Sequence, residues 1–123
     1  MDYRLTLVER PTYLHTRVTG PNTPENAVRF LRESYEACVA RGHDALLLEM
    51  DLAGPSLDSS SIFRIVAERT TDALKLRKIA YVEKSREKDQ SKVHFAETVA
   101  VNRGVNVRLF GDVAEAERWL SAN

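Results

Sequence analysis

Hydrophobic and polar positions alternate twice near the N-terminus. Tyr3, Leu5 and Leu7 are separated by Arg4 and Thr6; a second run puts Leu14, Thr16 and Val18 on one face and Tyr13, His15 and Arg17 on the other. Strand side chains point to alternate faces, so each run predicts a half-buried strand. Arg10-Pro11 leaves a short link between them, which predicts an antiparallel hairpin. The period then changes. Thr23-Pro24-Glu25 offers a capping hydroxyl, a proline suited to the first helical position and an acid in the first turn. Ala27, Phe30, Leu31, Ser34 and Cys38 follow at helical spacing, and Gly42 supplies a stop, so a helix is expected over about 24–41.

Ala45-Leu46-Leu47-Leu48 does not alternate, which is the mark of a strand covered on both faces. Asp58 or Ser59 opens the next helix, whose inner face reads Ile62, Phe63, Val66, Ala67, Thr70, Ala73 and Leu74. A strand at 79–82, a helix carrying Val93, Ala96, Val99 and Ala100, a strand at 105–110 and a helix with Ala116, Trp119 and Leu120 complete the order ββαβαβαβα. Right-handed crossovers then imply an α/β fold, a mixed sheet flanked by helices, in a single domain over 1–123. The run Glu83-Lys84-Ser85-Arg86-Glu87-Lys88-Asp89-Gln90 mixes charges of both signs, and a solvated, mobile loop is expected there.

Composition narrows the function classes. Basic and acidic residues balance at 18 each, so no global field favours nucleic acid. The single cysteine, Cys38, excludes an internal disulfide and reads as a buried thiol. MDYRLTLVER lacks the basic and apolar blocks of a secretory leader, and no apolar run approaches the ~20 residues of a membrane span. A cytoplasmic, bacterial-style protein is the expectation.

The element order and the stretch LLLEMDLAGPSLDSS, through Asp58-Ser59-Ser60, resemble the STAS domain, the SpoIIAA or anti-sigma-factor-antagonist fold. KIAYVEKS and HFAETVAVNRGVNVRLFGDVAEAERWL are similar to the SpoIIAA-like proteins of the STAS/SEC14 branch. The resemblance covers nearly the whole chain, and its motifs specify fold better than activity. It implies a binding protein without enzymatic activity or cofactor.

Two site readings follow. In classical antagonists the second serine of D-S-S accepts a phosphoryl group, which carries that role to Ser60, with Asp58, Ser59 and Ser61 on the face that docks a protein partner. The classical motif continues with glycine where Ser61 stands here. Read from the residues alone, Asp58 and Ser59 are simply helix caps, and both readings stay open. The second site reading is a nonpolar ligand or a membrane surface, by analogy of fold with lipid carriers, with Val93, Phe95, Ala96 and Val99 of the third helix as contacts and the 84–90 loop as a hinge. A homodimer is left open. Ser60, His94 and Asp51 are the residue types of a nucleophilic triad, but G-x-S-x-G is absent, and the histidines lack metal-ligand spacing. A receiver-type phosphotransfer domain fails as well, because it needs an acidic pair after the first strand and a lysine after the fifth. Here Glu9-Arg10-Pro11 and Gly111-Asp112 occupy those places.

Overall fold

The computed structural model describes residues 2–122. In chain order the elements are β1 (Arg4–Glu9), β2 (Leu14–Pro21), α1 (Pro24–Ala40), β3 (Ala45–Ala53), α2 (Ser59–Ala73), β4 (Lys78–Glu83), α3 (Gln90–Asn102), β5 (Val107–Leu109) and α4 (Val113–Ser121). They match the order expected from the sequence. The sheet runs β1-β2-β3-β4-β5. β1 pairs antiparallel with β2, with Leu5 opposite Val18 and Leu7 opposite Thr16. The remaining pairs are parallel, with Leu48 opposite Thr16 on one side and Tyr81 on the other.

Three successive crossovers step in the same direction across this sheet. Right-handed connections therefore stack α1, α2 and α3 on one face. α4 follows the last strand and closes the opposite face. β3, the central strand, is covered twice: Leu46, Leu48 and Met50 meet the three-helix side, while Ala45 and Leu47 meet α4. Its apolar, non-alternating start needs no other cause. Beyond the reach of α4, the back face carries the buried Glu49 carboxylate, bonded to His15 Nε2 at 2.8 Å and 3.8 Å from both Arg17 and Lys84.

Local signals act as the sequence implies. Thr23 caps α1 by accepting from the Asn26 N–H at 3.1 Å. Gly20 is required at the end of β2, since its φ is +135° and a Cβ there would lie 2.8 Å from the Tyr3 Cα. Cys38 is buried in α1, and burial pushes its thiol up to about 12.

Three expectations are corrected. Phe63 and Leu74 do not face the core; they are 48% and 52% exposed, and Ile65 is buried instead. The inner face of α2 is Ile62, Ile65, Val66, Arg69 and Ala73, rotated by about a fifth of a turn from the expected stripe, with which it shares Ile62, Val66 and Ala73. Phe63 instead lies under the Arg103 guanidinium, 5.2 Å from its ring. The last strand is shorter than 105–110: its register with β4 covers Val107–Leu109, with backbone bonds from the Ile79 N–H to the Asn106 carbonyl and from the Phe110 N–H to the Tyr81 carbonyl flanking it.

The charged segment is the third correction. Lys88 is 8% exposed, and its ammonium donates to the carbonyls of Leu52, at 2.7 Å, and Gly54. Glu87 accepts from the Gly54 N–H at 3.2 Å, and the Asp89 N–H donates to Ser56 Oγ at 2.8 Å. Burying a charge is tolerable where carbonyls replace water. The segment is a clasp between the β4–α3 and β3–α2 connections.

Candidate functional site

Between the sheet and α1–α3 lies a cavity of about 140 Å³. Its walls are Phe30 and Leu31 from α1, Leu48 from β3, Ile65 and Val66 from α2, and Val93, Ala96 and Ala100 from α3. The lining is mainly apolar because these helices present branched and small side chains to the even-numbered face of β3 and the odd-numbered face of β4. Leu48, Ile79 and Tyr81 form that floor.

Polar groups concentrate at two places on the wall. At the carboxyl ends of the strands stand Asn22, Ser56, Glu83, Lys88 and Lys92. The Glu83 carboxyl is raised above its ordinary range by burial, with the Ser85 N–H bond and Lys88 opposing the shift. Farther along α2, Arg69 and Thr70 share the wall with Tyr35 of α1. Arg69 pairs outward with Asp72 at 3.2 Å and with Glu68 at 3.7 Å, while its Nε is buried without a partner.

The four α3 residues singled out in the sequence separate here. Val93 and Ala96 line the cavity; Val99 is buried elsewhere in the packing, and the half-buried Phe95 lies off the cavity wall. Successive residues on a helix turn through about 100°, so 93 and 96 share a face that 95 and 99 leave.

The serine turn opens α2 as a capped terminus. Asp58 is the N-cap, accepting from the Ser61 N–H at 2.7 Å. That bond holds its carboxyl below the usual carboxylate range, with Lys92 and Arg64 adding to the effect. Ser59 and Ser60 are exposed and Ser61 is half-buried. Lys92 of α3 donates to Ser59 Oγ at 2.8 Å and also lines the cavity, so the two candidate sites adjoin. His94 pairs with Glu97 of its own helix at 3.7 Å, and among the described residues no hydrogen bond or ion pair joins it to Ser60 or Asp51.

Tyr35, Arg69, Tyr81, Glu83 and Lys88 belong to this site, and the sequence patterns did not mark them. Tyr35 follows Leu31 by four positions and could have been placed on the inner face of α1. Tyr81 alternates with Ile79 in β4. For Arg69 and Lys88 a charged residue gives no inward signal; the fold alone brings the Leu52 and Gly54 carbonyls to Lys88, whereas Arg69 has its carboxylates, Glu68 and Asp72, on its own helix.

A mixed five-stranded sheet in this order, with three helices on one face and a fourth on the other, is the SpoIIAA-like fold, and the chain adopts it. A solved structure similar to it is an uncharacterized protein of the DUF3478 family with a SpoIIAA-like fold from Shewanella loihica PV-4. The two superpose with a TM-score of 0.55 over 97% of this chain and 94% of that one, at 16% identity. No protein-family model and no curated protein matches the sequence. No helix among the described residues is long and apolar enough to cross a membrane.

Proposed function

We propose that this chain is a non-enzymatic, SpoIIAA-like binding module that holds a small nonpolar molecule between its sheet and α1–α3. The observation that carries this reading is the cavity itself. An apolar cavity of ~150 Å³ is large enough for benzene, and the 140 Å³ here is of that size. The occupant is thus a single ring or a short chain, much smaller than a membrane phospholipid. Lys92 links the cavity wall to the turn that starts α2, which gives occupancy a route to a surface that a protein partner reads.

Thermal unfolding with ethylbenzene as probe tests the reading. A ligand that binds only the folded state stabilises it by about 2.7 kcal/mol at a hundredfold excess over Kd. A saturable rise in Tm is expected. An unchanged Tm up to the solubility limit of the probe would contradict it.

The exposed Ser60 favours a second role, regulation at the α2 turn. Its hydroxyl lies in the first helical turn and is open to a kinase, where the helix dipole tolerates added negative charge. Intact mass after incubation with host lysate and ATP should show one phosphate addition that Ser60→Ala loses. The same addition persisting in that variant would remove Ser60 from this role.

A further inference from the structure

Three hydrogen-bond donors on the cavity wall are left without protein acceptors. Tyr35 is 8% exposed, and Tyr81 lines the same space from β4. Neither phenol has a hydrogen-bond partner among the described residues, and Arg69 Nε is buried without one. Burial raises both phenols above the ordinary tyrosine range; Asp72 adds to the effect at Tyr35, and Glu83 and Tyr35 add to it at Tyr81. Both therefore stay protonated and able to donate.

The charged groups on the wall already have hydrogen-bond partners, those of the two lysines being neutral. Lys88 bonds to two carbonyls and Lys92 to Ser59, while Glu97 accepts from the Leu109 N–H at 2.7 Å. A buried donor without an acceptor, as at Arg69 Nε, is costly, and a bound group that supplies the acceptor recovers that cost. The two phenol hydroxyls, which keep some solvent contact, add donors with no competing protein partner among the described residues.

We infer that the cavity takes a compact, uncharged ligand carrying a carbonyl-type acceptor, such as a ketone, ester or lactone on one ring or a short chain. Its oxygen is received by the Tyr35 and Tyr81 hydroxyls and Arg69 Nε. Charge decides against an anion. Arg69 is already matched by Asp72 and Glu68, and Asp72 and Glu83 place negative charge beside the two phenols. A carboxylate ligand at the Tyr35 end of the wall would meet those fields with Arg69 already matched; the Lys88 and Lys92 ammoniums stand at the other end, where the strands terminate. The inference rests on the cavity reading above and specifies its ligand.

Calorimetric titration with three probes of similar shape separates the two. Acetophenone carries a neutral acceptor, ethylbenzene carries none, and benzoate is an anion. Acetophenone should bind roughly tenfold more tightly than ethylbenzene, as one or two neutral hydrogen bonds allow, and more tightly than benzoate. In the Tyr35→Phe/Tyr81→Phe double variant, which keeps both ring shapes, acetophenone should lose most of its advantage over ethylbenzene, with Arg69 Nε alone left to receive it, while ethylbenzene is unchanged. Arg69→Met should also weaken acetophenone selectively, and it provides the test should the double variant fail to fold. Equal binding of ethylbenzene and acetophenone, tightest binding of benzoate, or variants without selective effect would overturn the acceptor proposal and leave the cavity reading intact. Failure of all three probes to bind would overturn both.

Discussion

Ala96→Trp should abolish uptake of nonpolar probes while leaving the chain folded. Ala96 sits on α3 with its methyl group on the cavity wall and is only partly buried. An indole at this position fills space that is otherwise empty, so it does not meet the overpacking penalty of about 1–3 kcal/mol expected in a filled core. Ethylbenzene affinity should fall by at least about tenfold, equal to 1.4 kcal/mol. Tm should stay constant or rise, because the new side chain gains packing partners. Circular dichroism and calorimetric titration on the same sample check both halves. Retained probe affinity in a folded Ala96→Trp variant would place the binding elsewhere.

Leu47→Ala should do the reverse. Leu47 is fully buried, but on the α4 side of β3, packed with Tyr13, Ala80, Val82 and Leu120. Truncating such a side chain removes its transfer energy and leaves a void, a loss of about 3 kcal/mol. For a chain of this length that lowers Tm by roughly 10 °C. Because the sheet separates this cluster from the cavity, ethylbenzene affinity at a temperature where the variant is folded should remain within about twofold of the parent, as for distant, independent sites. Denaturant unfolding together with titration provides the check, and a large affinity loss would show that the two faces are coupled.

The two substitutions divide the molecule along its sheet, and the sequence made much of that division legible. The alternation of β2, with Leu14, Thr16 and Val18 against Tyr13, His15 and Arg17, fixes which face is which. The unbroken apolar start of β3 places it at the centre. Helix starts at Thr23 and Asp58 were readable because capping is local, set by one side chain and an N–H three residues on.

The site was legible only in part. Val93 and Ala96 were marked by the apolar stripe that also carried Val99 and Ala100, whereas Phe95 falls off that stripe. On α2, Phe63 and Leu74 suggested an inner face that Ile65 in fact occupies. Several adjacent apolar positions leave the stripe's centre ambiguous until a neighbouring sheet selects one. Lys88 shows the clearest limit. Its burial depends on the Leu52 and Gly54 carbonyls, 36 and 34 positions earlier, and no local pattern encodes so distant a partner. The unpartnered Tyr35, Tyr81 and Arg69 donors emerge only when α1, α2 and β4 are brought together.

Asp58-Ser59-Ser60-Ser61 was the feature most suggestive of chemistry, and the fold gives it a capping role beside the cavity. Its connection to Lys92 makes the α2 turn the place where occupancy would be felt. Conformational coupling of this kind needs a difference in contact between the free and bound states. Lys92 supplies the contact to follow, since it touches both the cavity and Ser59.

The most direct test of the central claim is a set of isotope-filtered nuclear Overhauser measurements on the methyl-labelled chain with acetophenone bound. Contacts from ligand protons to the methyl groups of Leu48, Ile65, Val66 and Val93 are predicted, together with none to Leu47 or Leu120. Contacts confined to the exposed Leu74 or Val101, or none to any labelled methyl, would contradict the account.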